Sequence, residues 1–291
     1  MAQAVRALTK RIESIDKTRK ITRAMKLVAA SKLRRAEERI TRARVYGERI
    51  RAMAENLAAY APAEHPLFAV RDSVRRVKLV LVTSDRGLCG SFNHNAVRAA
   101  QDFLKERASE GQGARLDLVG KKGWEFLKKR FKGIDEHLED AVGRNIPRIA
   151  RELARRLMRE YTDGEVDEVH LLFNRFVSMA VQRVARERLL PASPPALRAL
   201  PTQPPIFEPS AEVLFSEIVP RAVTVQVQNA LADSEAAEHA ARMAAMENAT
   251  RNATDIIHNL TLVRNKMRQA AITSEIVEIV GAAEALRTTG G

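Results

Sequence analysis

Cysteine is almost missing from this sequence: Cys89 is the only one in 291 residues. That excludes an intrachain disulfide and any multi-cysteine zinc or iron–sulfur centre. The six histidines are scattered, with no pair at helical i, i+4 spacing, so no histidine-built metal site is expected. Long apolar runs are absent too, and nothing approaches the roughly 20 residues that a bilayer span needs. The N-terminus, Met1-Ala2-Gln3-Ala4-Val5-Arg6, enters a charged periodic pattern at once, and neither a secretory signal nor a transit peptide is expected. Aromatic residues make up 4%.

What is abundant is positive charge, and it is uneven. Of the net +13, residues 1–60 carry 16 Lys/Arg against 6 Asp/Glu (+10), residues 61–210 carry 26 against 20 (+6), and residues 211–291 carry 7 against 10 (−3). A basic N-terminal segment calls for an anionic partner: the acidic C-terminal segment, a nucleic acid, a membrane surface or an acidic protein.

The first 60 residues contain no proline and, apart from Gly47, no glycine, and they read as one helix. Val5, Leu8, Ile12 and Ile15 step by three, four and three, the spacing of a coiled-coil seam. Leu33, Ala36, Ile40, Ala43, Gly47, Ile50, Ala54 and Leu57 resume that alternation 18 residues after Ile15, two heptads plus four, which is a stutter. Such a helix would be roughly 85 Å long, more than a compact domain accommodates, so it is expected to protrude. The C-terminal segment mirrors it. After Pro220, expected in the first turn of a helix, there is no further proline. Ile256, Leu260, Val263, Met267 and Ala270 again alternate by four and three, and Ile272, Ile276, Ile279, Ala283 and Leu286 continue on a shifted face. The simplest assembly is an antiparallel pair whose C-terminal member overhangs.

Between the two lies a strand–helix rhythm. Strands are expected over 77–83, 116–119 and 166–173, the last extending through Phe176-Val177, with helices over 95–107, 124–131 and 146–161. The fold class is thus α/β plus a long antiparallel coiled coil, with a central Rossmann-like domain and a mostly parallel sheet. The expected divisions are 1–60 for the N-terminal shaft helix, 61–209 for the α/β domain with a Pro-rich extended connection over 190–209, and 210–291 for the C-terminal shaft helix.

Thr83-Ser84-Asp85-Arg86-Gly87-Leu88-Cys89-Gly90-Ser91 stands between a strand and a helix, where α/β proteins cradle phosphate. Its glycines fit neither phosphate-loop spacing, and no Walker lysine follows, so it reads as a structural turn, as does Val119-Gly120-Lys121-Lys122-Gly123. Cys89 reads as a small buried apolar residue rather than a nucleophile, because no histidine is placed to activate it. No catalytic residue, cofactor or metal site is expected. The basic helix admits two functional readings: nucleic-acid binding, or an arm moving past acidic protein surfaces. Its charges are spread over 50 positions, and within its body Tyr46 is the only ring that could stack on a base, so the first is the alternative.

Ile21-Thr22-Arg23-Ala24-Met25-Lys26-Leu27-Val28-Ala29-Ala30-Ser31-Lys32-Leu33-Arg34-Arg35-Ala36 closely resembles the N-terminal signature of the gamma subunits of F-type ATP synthases, bacterial type. Ser84 to Asn93 resembles that family's second motif, and Asn174-Arg175-Phe176-Val177-Ser178 its central strand. Glu238 to Met243 and Asn265 to Thr273 resemble its C-terminal helix. The resemblance implies a non-catalytic rotor, a two-helix shaft turning inside three alpha and three beta subunits, with a foot on the membrane rotor c-ring and against the epsilon subunit. It implies no bound cofactor, no nucleic acid and no small-molecule substrate, and a peripheral place on the cytoplasmic face of the bacterial inner membrane. By the same resemblance Ile21, Met25, Lys26, Asp85 and Arg86 lie near an acidic beta lever loop, and Arg268, Gln269 and Thr273 meet a beta catch loop. The resemblance also implies that Ile276, Ile279, Val280, Ala283 and Leu286 fill an apolar bearing. Glu235 stands where the family usually has an apolar residue, and Ser91 where many members have a second glycine.

Overall fold

A computed structural model describes residues 2–58, 60, 65–141, 143, 145–193 and 207–289, with side chains as far as residue 281. The chain separates into two compact units, one formed by 1–28 and 245–291 and the other by 29–244. Two helices, α1 (Ala2–Ala58) and α5 (Ala211–Thr289), run through both. No described helix is long and apolar enough to cross a membrane.

In the larger unit, β1 (Arg76–Val82), β2 (Gly113–Val119), β3 (Ile134–Leu138), β4 (Glu168–Phe176) and β5 (Gln182–Leu190) form one sheet in the order β3-β2-β1-β4-β5. The first four are parallel and β5 returns antiparallel to β4 as an edge. Central β1 is buried on both faces. Val77, Leu79 and Leu81 pack with α2 (Phe92–Ser109) and α3 (Lys121–Leu127), while Val80 and Val82 face α4 (Ile146–Thr162) and the shaft helices. Lys78 shares that second face, although it is a buried cation. It survives there because Asp135 (3.0 Å), Glu160 (2.5 Å) and Asp117 (3.8 Å) surround its ammonium.

The seam predicted for residues 33–57 is buried throughout except at half-buried Gly47. A Cβ at Gly47 would lie 3.0 Å from Asn229 and 3.2 Å from Val225, so the glycine lets α5 approach closely. Antiparallel pairing is read directly from Arg39 against Glu235 and Arg44 against Asp233 (3.0 Å). In the smaller unit Val5, Leu8, Ile12 and Ile15 are half-buried, and the seam passes on through Arg19, Thr22 and Met25. Thr22 Oγ1 meets Thr250 Oγ1 at 2.8 Å, a polar layer of the kind that fixes register in an otherwise apolar seam.

Four expectations need correction. The helix containing Pro220 begins nine residues earlier, at Ala211, behind a Ser210 cap. Proline at 220 removes the N–H that would bond to the Ser216 carbonyl. The His65 ring bonds to the Ser216 backbone instead, while its Nδ1 accepts the Leu67 N–H at 3.2 Å. The C-terminal seam keeps Leu260 and Met267 as expected but takes Ile257, Arg264 and Ala271 in place of Ile256, Val263 and Ala270. Met246, Thr250, Ala253, Ile257, Leu260, Arg264, Met267, Ala271 and Ser274 are buried or half-buried, with Glu247, Ala249, Thr261 and Asn265 half-buried beside them, whereas Ile256, Val263 and Ala270 are exposed. Helix α3 begins three residues earlier than expected and ends at Leu127. Strands β3 and β5 were not expected at all; both are edges, and runs of charged side chains, Asp135-Glu136 and Arg186-Glu187-Arg188, mask their period. The Pro-rich connection falls outside the described residues over 194–206.

Candidate protein-interaction surfaces

The turn after β1 is held by its own polar side chains. Asn93 Oδ1 accepts the Ser84 N–H (2.9 Å), Asn93 Nδ2 donates to Ser84 Oγ (2.8 Å), and Ser84 Oγ donates to the Arg86 carbonyl (2.7 Å). Leu88 takes a left-handed φ of 62° and Gly90 one of 59° to turn the chain into α2. The start of α3 docks on the same turn. The N–H groups of Lys121, Lys122 and Gly123 go to Asp85 Oδ1 (3.0 Å), the Ser84 carbonyl (3.0 Å) and Thr83 Oγ1 (2.9 Å). Donors that would cradle a phosphate are thus spent inside the protein. Cys89 is buried beside Phe92 and Ala237, and burial pushes its thiol above the ordinary range.

In many doubly wound sheets a ligand enters at the carboxyl ends of the strands, where strand order reverses. Here α5 takes that place. Arg242 donates to the carbonyls of Arg86 (3.1 Å) and Gly87 (3.2 and 3.3 Å), and pairs with Glu238 at 2.7 Å. Burial pushes the Glu238 carboxyl up, against the pull of Arg242. His239 is lowered to about 4, first by burial and then by the charges of Arg242, Lys32 and Arg39, so it is neutral near pH 7. Glu235 is a buried acid, bound by two Arg39 nitrogens, with its Oε2 3.1 Å from Nε. That bidentate pair answers for the unusual acid at 235.

These groups line an open cleft of about 350 Å³ that also takes in Lys32, Arg35, Asp85, Arg86 and Asp140. Lys32, Arg35 and Arg86 are exposed and make no ion pair with a described residue. The floor is a self-neutralised network, and at the mouth the cations Lys32, Arg35 and Arg86 outnumber the acids Asp85 and Asp140, leaving a net positive charge.

The smaller unit carries the other expected contact residues. Ile21 is exposed, Met25 half-buried, and Lys26 pairs with Glu247 across the helices. Arg268, Gln269 and Thr273 are exposed, and Thr273 spends its hydroxyl on the Gln269 carbonyl (3.0 Å). Ile276, Ile279 and Val280 are exposed at 55, 69 and 54%. From 275 to 281 no side chain of α5 is even half-buried. Ala283 and Leu286 lie on the helix, but their side chains fall outside the described set. The sequence reading missed Lys32, Arg35, Glu238, His239 and Arg242 as one cleft. Their separation in the chain, by about 200 positions, leaves no local signal.

Known proteins resemble this chain over nearly its whole length. Residues 4–286 match the family model described as ATP synthase. The ATP synthase gamma chain of Moorella thermoacetica is 44% identical over 285 residues, covering 97% of this chain and 99% of that one. The gamma chain of Nitratidesulfovibrio vulgaris Hildenborough is 42% identical over 281 residues, covering 95% and 97%. Among solved structures, the central stalk and c-ring assembly of the Tetrahymena thermophila mitochondrial ATP synthase contains a chain 28% identical with TM-score 0.61, over 79% of this chain and 99% of that one. A chain of the Euglena gracilis mitochondrial ATP synthase shares the fold at TM-score 0.70 and 21% identity, over 99% and 96%. No relative here points to nucleic-acid binding.

Proposed function

The chain belongs to the ATP synthase gamma family, and we propose that it is the central-stalk rotor of an F-type ATP synthase, itself non-catalytic. It couples ion flow through the membrane c-ring to ATP synthesis and hydrolysis in a ring of three alpha and three beta subunits. Residues 1–60 and 210–291 form the shaft, and 61–209 the foot that stands on the c-ring and binds the epsilon subunit. As part of a membrane-associated F1 complex, it works at the cytoplasmic face of the bacterial inner membrane.

The observation that carries this reading is the bare end of α5. Ile276, Val277, Ile279 and Val280 are each more than half exposed on a stretch of helix, residues 275–281, that no described part of the chain covers. Apolar side chains displayed round a helix call for an external sleeve. An alpha/beta ring supplies one, as a bearing for Ile276, Ile279, Val280, Ala283 and Leu286. Below the bearing, Arg268, Gln269 and Thr273 present donors and acceptors to a beta catch loop. Ile21, Met25, Lys26, Asp85 and Arg86 face the acidic beta lever loop, and the unpaired Lys32, Arg35 and Arg86 give that lever its countercharge. A single asymmetric shaft offers a different face to each of three identical beta subunits. Only such differential contact biases their conformational equilibria apart, and hence their nucleotide affinities.

Native mass spectrometry of the complex that co-purifies with the tagged chain from its host tests the assignment. One copy with three each of two larger subunits is the expected stoichiometry; a free monomer or simple dimer would count against it.

A further inference from the structure

We propose that the segment from Lys121 to Lys132, on the larger unit, is a docking surface for the headgroups of an anionic phospholipid bilayer, and that it holds the unassembled chain at the membrane. Lys121, Lys128, Lys129, Arg130 and Lys132 are all exposed. Glu125 is the single acid in the stretch, and Lys122 already occupies it at 2.5 Å. Lys129, Arg130 and Lys132 have no ion pair among the described residues, so a net charge of five is left facing outward.

The ground beneath is rigid. A Cβ at Gly123 would sit 2.9 Å from Thr83 Oγ1, and the α3 N-terminal N–H groups are bonded to the turn after β1. A single hydrogen-bonded turn then carries the chain from Leu127 to Phe131 (3.0 Å).

Three features choose the partner. Trp124 is stacked on His137 at 4.9 Å with the Lys128 ammonium over its ring, and Phe131 packs into the core. Neither ring is free to stack on bases, which argues against single-stranded nucleic acid. Four of the five cations without an ion pair among the described residues are lysines, hydrated point charges without the fork that recognises a particular carboxylate, and these suit a diffuse anionic plane. Phe126, 41% exposed beside them, supplies an apolar side chain for the headgroup boundary. This surface is independent of the rotor reading, so either can fail alone.

The test is flotation of the full-length chain with phosphatidylcholine vesicles containing about a third phosphatidylglycerol, against phosphatidylcholine alone, at ionic strength near 0.1 M, where screening acts over about 10 Å. Two variants each lose three positive charges: Lys129→Gln/Arg130→Gln/Lys132→Gln in the segment, and Arg151→Gln/Arg155→Gln/Arg159→Gln on the exposed side of α4. Both should keep the parental unfolding transition. We expect binding only to anionic vesicles, weakened at least tenfold by the segment variant and less than threefold by the α4 variant. Equal losses would make the binding a property of net charge and overturn the proposal, as would no binding by the parent. Undiminished vesicle binding by a segment variant that no longer enters the complex would assign the surface to an acidic protein and overturn it equally.

Discussion

Replacing Arg242 by methionine tests how α5 is held to the turn after β1. The guanidinium donates to the carbonyls of Arg86 and Gly87 and pairs with Glu238 at 2.7 Å. Methionine keeps the aliphatic stem, removes those bonds, and strands Glu238, 8% exposed, without its cation. Breaking one side of a buried pair costs about 3–5 kcal/mol, and the orphaned carbonyls add about 1 kcal/mol or more. The expected destabilisation is therefore about 4–6 kcal/mol at pH 8. It also has a pH signature. Burial raises the Glu238 pKa in the folded state, so the folded protein binds the proton more tightly than the unfolded chain. Stability is lost as pH rises from the unfolded value towards the folded one, and removing Arg242 widens that window upward. The variant should thus recover part of its deficit on acidification towards pH 5, and Arg242→Met/Glu238→Leu should recover most of it at pH 8. Urea unfolding followed by Trp124, the only tryptophan and a member of the sheet's second core, reads the correct unit. A single variant within 1 kcal/mol of the parent, or a double variant no more stable than the single, would refute this account.

Other consequences follow from the same geometry. His239, held near 4, costs stability as pH falls from about 6.5 towards 4, because the unfolded chain takes up a proton that the fold refuses. His239→Gln should flatten that part of the stability–pH curve by up to about 3 kcal/mol, measured by urea midpoints at pH 7 and pH 4. Gly120→Ala places a Cβ 2.2 Å from the Thr83 carbonyl oxygen at φ +97°, whereas Gly111→Ala, at φ +73°, meets nothing within 4 Å. The first should cost more than about 3 kcal/mol and the second about 1 kcal/mol, so comparable Trp124 transitions would show that the close approach is unimportant. Met25→Lys should leave assembly intact and impair ATP-driven ion pumping, and pumping at the parental rate would remove Met25 from the contact surface.

Local chemistry made the shaft helices legible. Freedom from proline and the three–four alternation of Leu33 to Leu57 give a helix its seam from sequence alone, and the β-rich run Val77 to Thr83 reads as a strand, which the fold then buries on both faces. The misses share a cause. Pro220 reads as a helix start because the group that tolerates it inside the helix, His65, lies 155 positions away. The C-terminal seam holds at Leu260 and Met267 but shifts by one at the alternate positions, because Ile256 and Val263 look like core residues, yet they stay exposed, while Arg264 takes a half-buried place. In β5, Arg183, Arg186 and Arg188 conceal a strand whose backbone pairing with β4 compensates for a weak apolar pattern. The cleft lined by Arg242 was invisible for a different reason: its parts come from α1, α5 and the turn after β1, far apart in the chain.

Rotation is the central claim, and direct observation tests it best. Cys89 is buried, so a cysteine introduced at exposed Ser109 can be labelled selectively. With the alpha/beta ring immobilised and a bead attached at position 109, ATP should drive the bead one way round, with three pauses per turn. A bead that only fluctuates, in a complex that hydrolyses ATP at its full rate, would contradict the account.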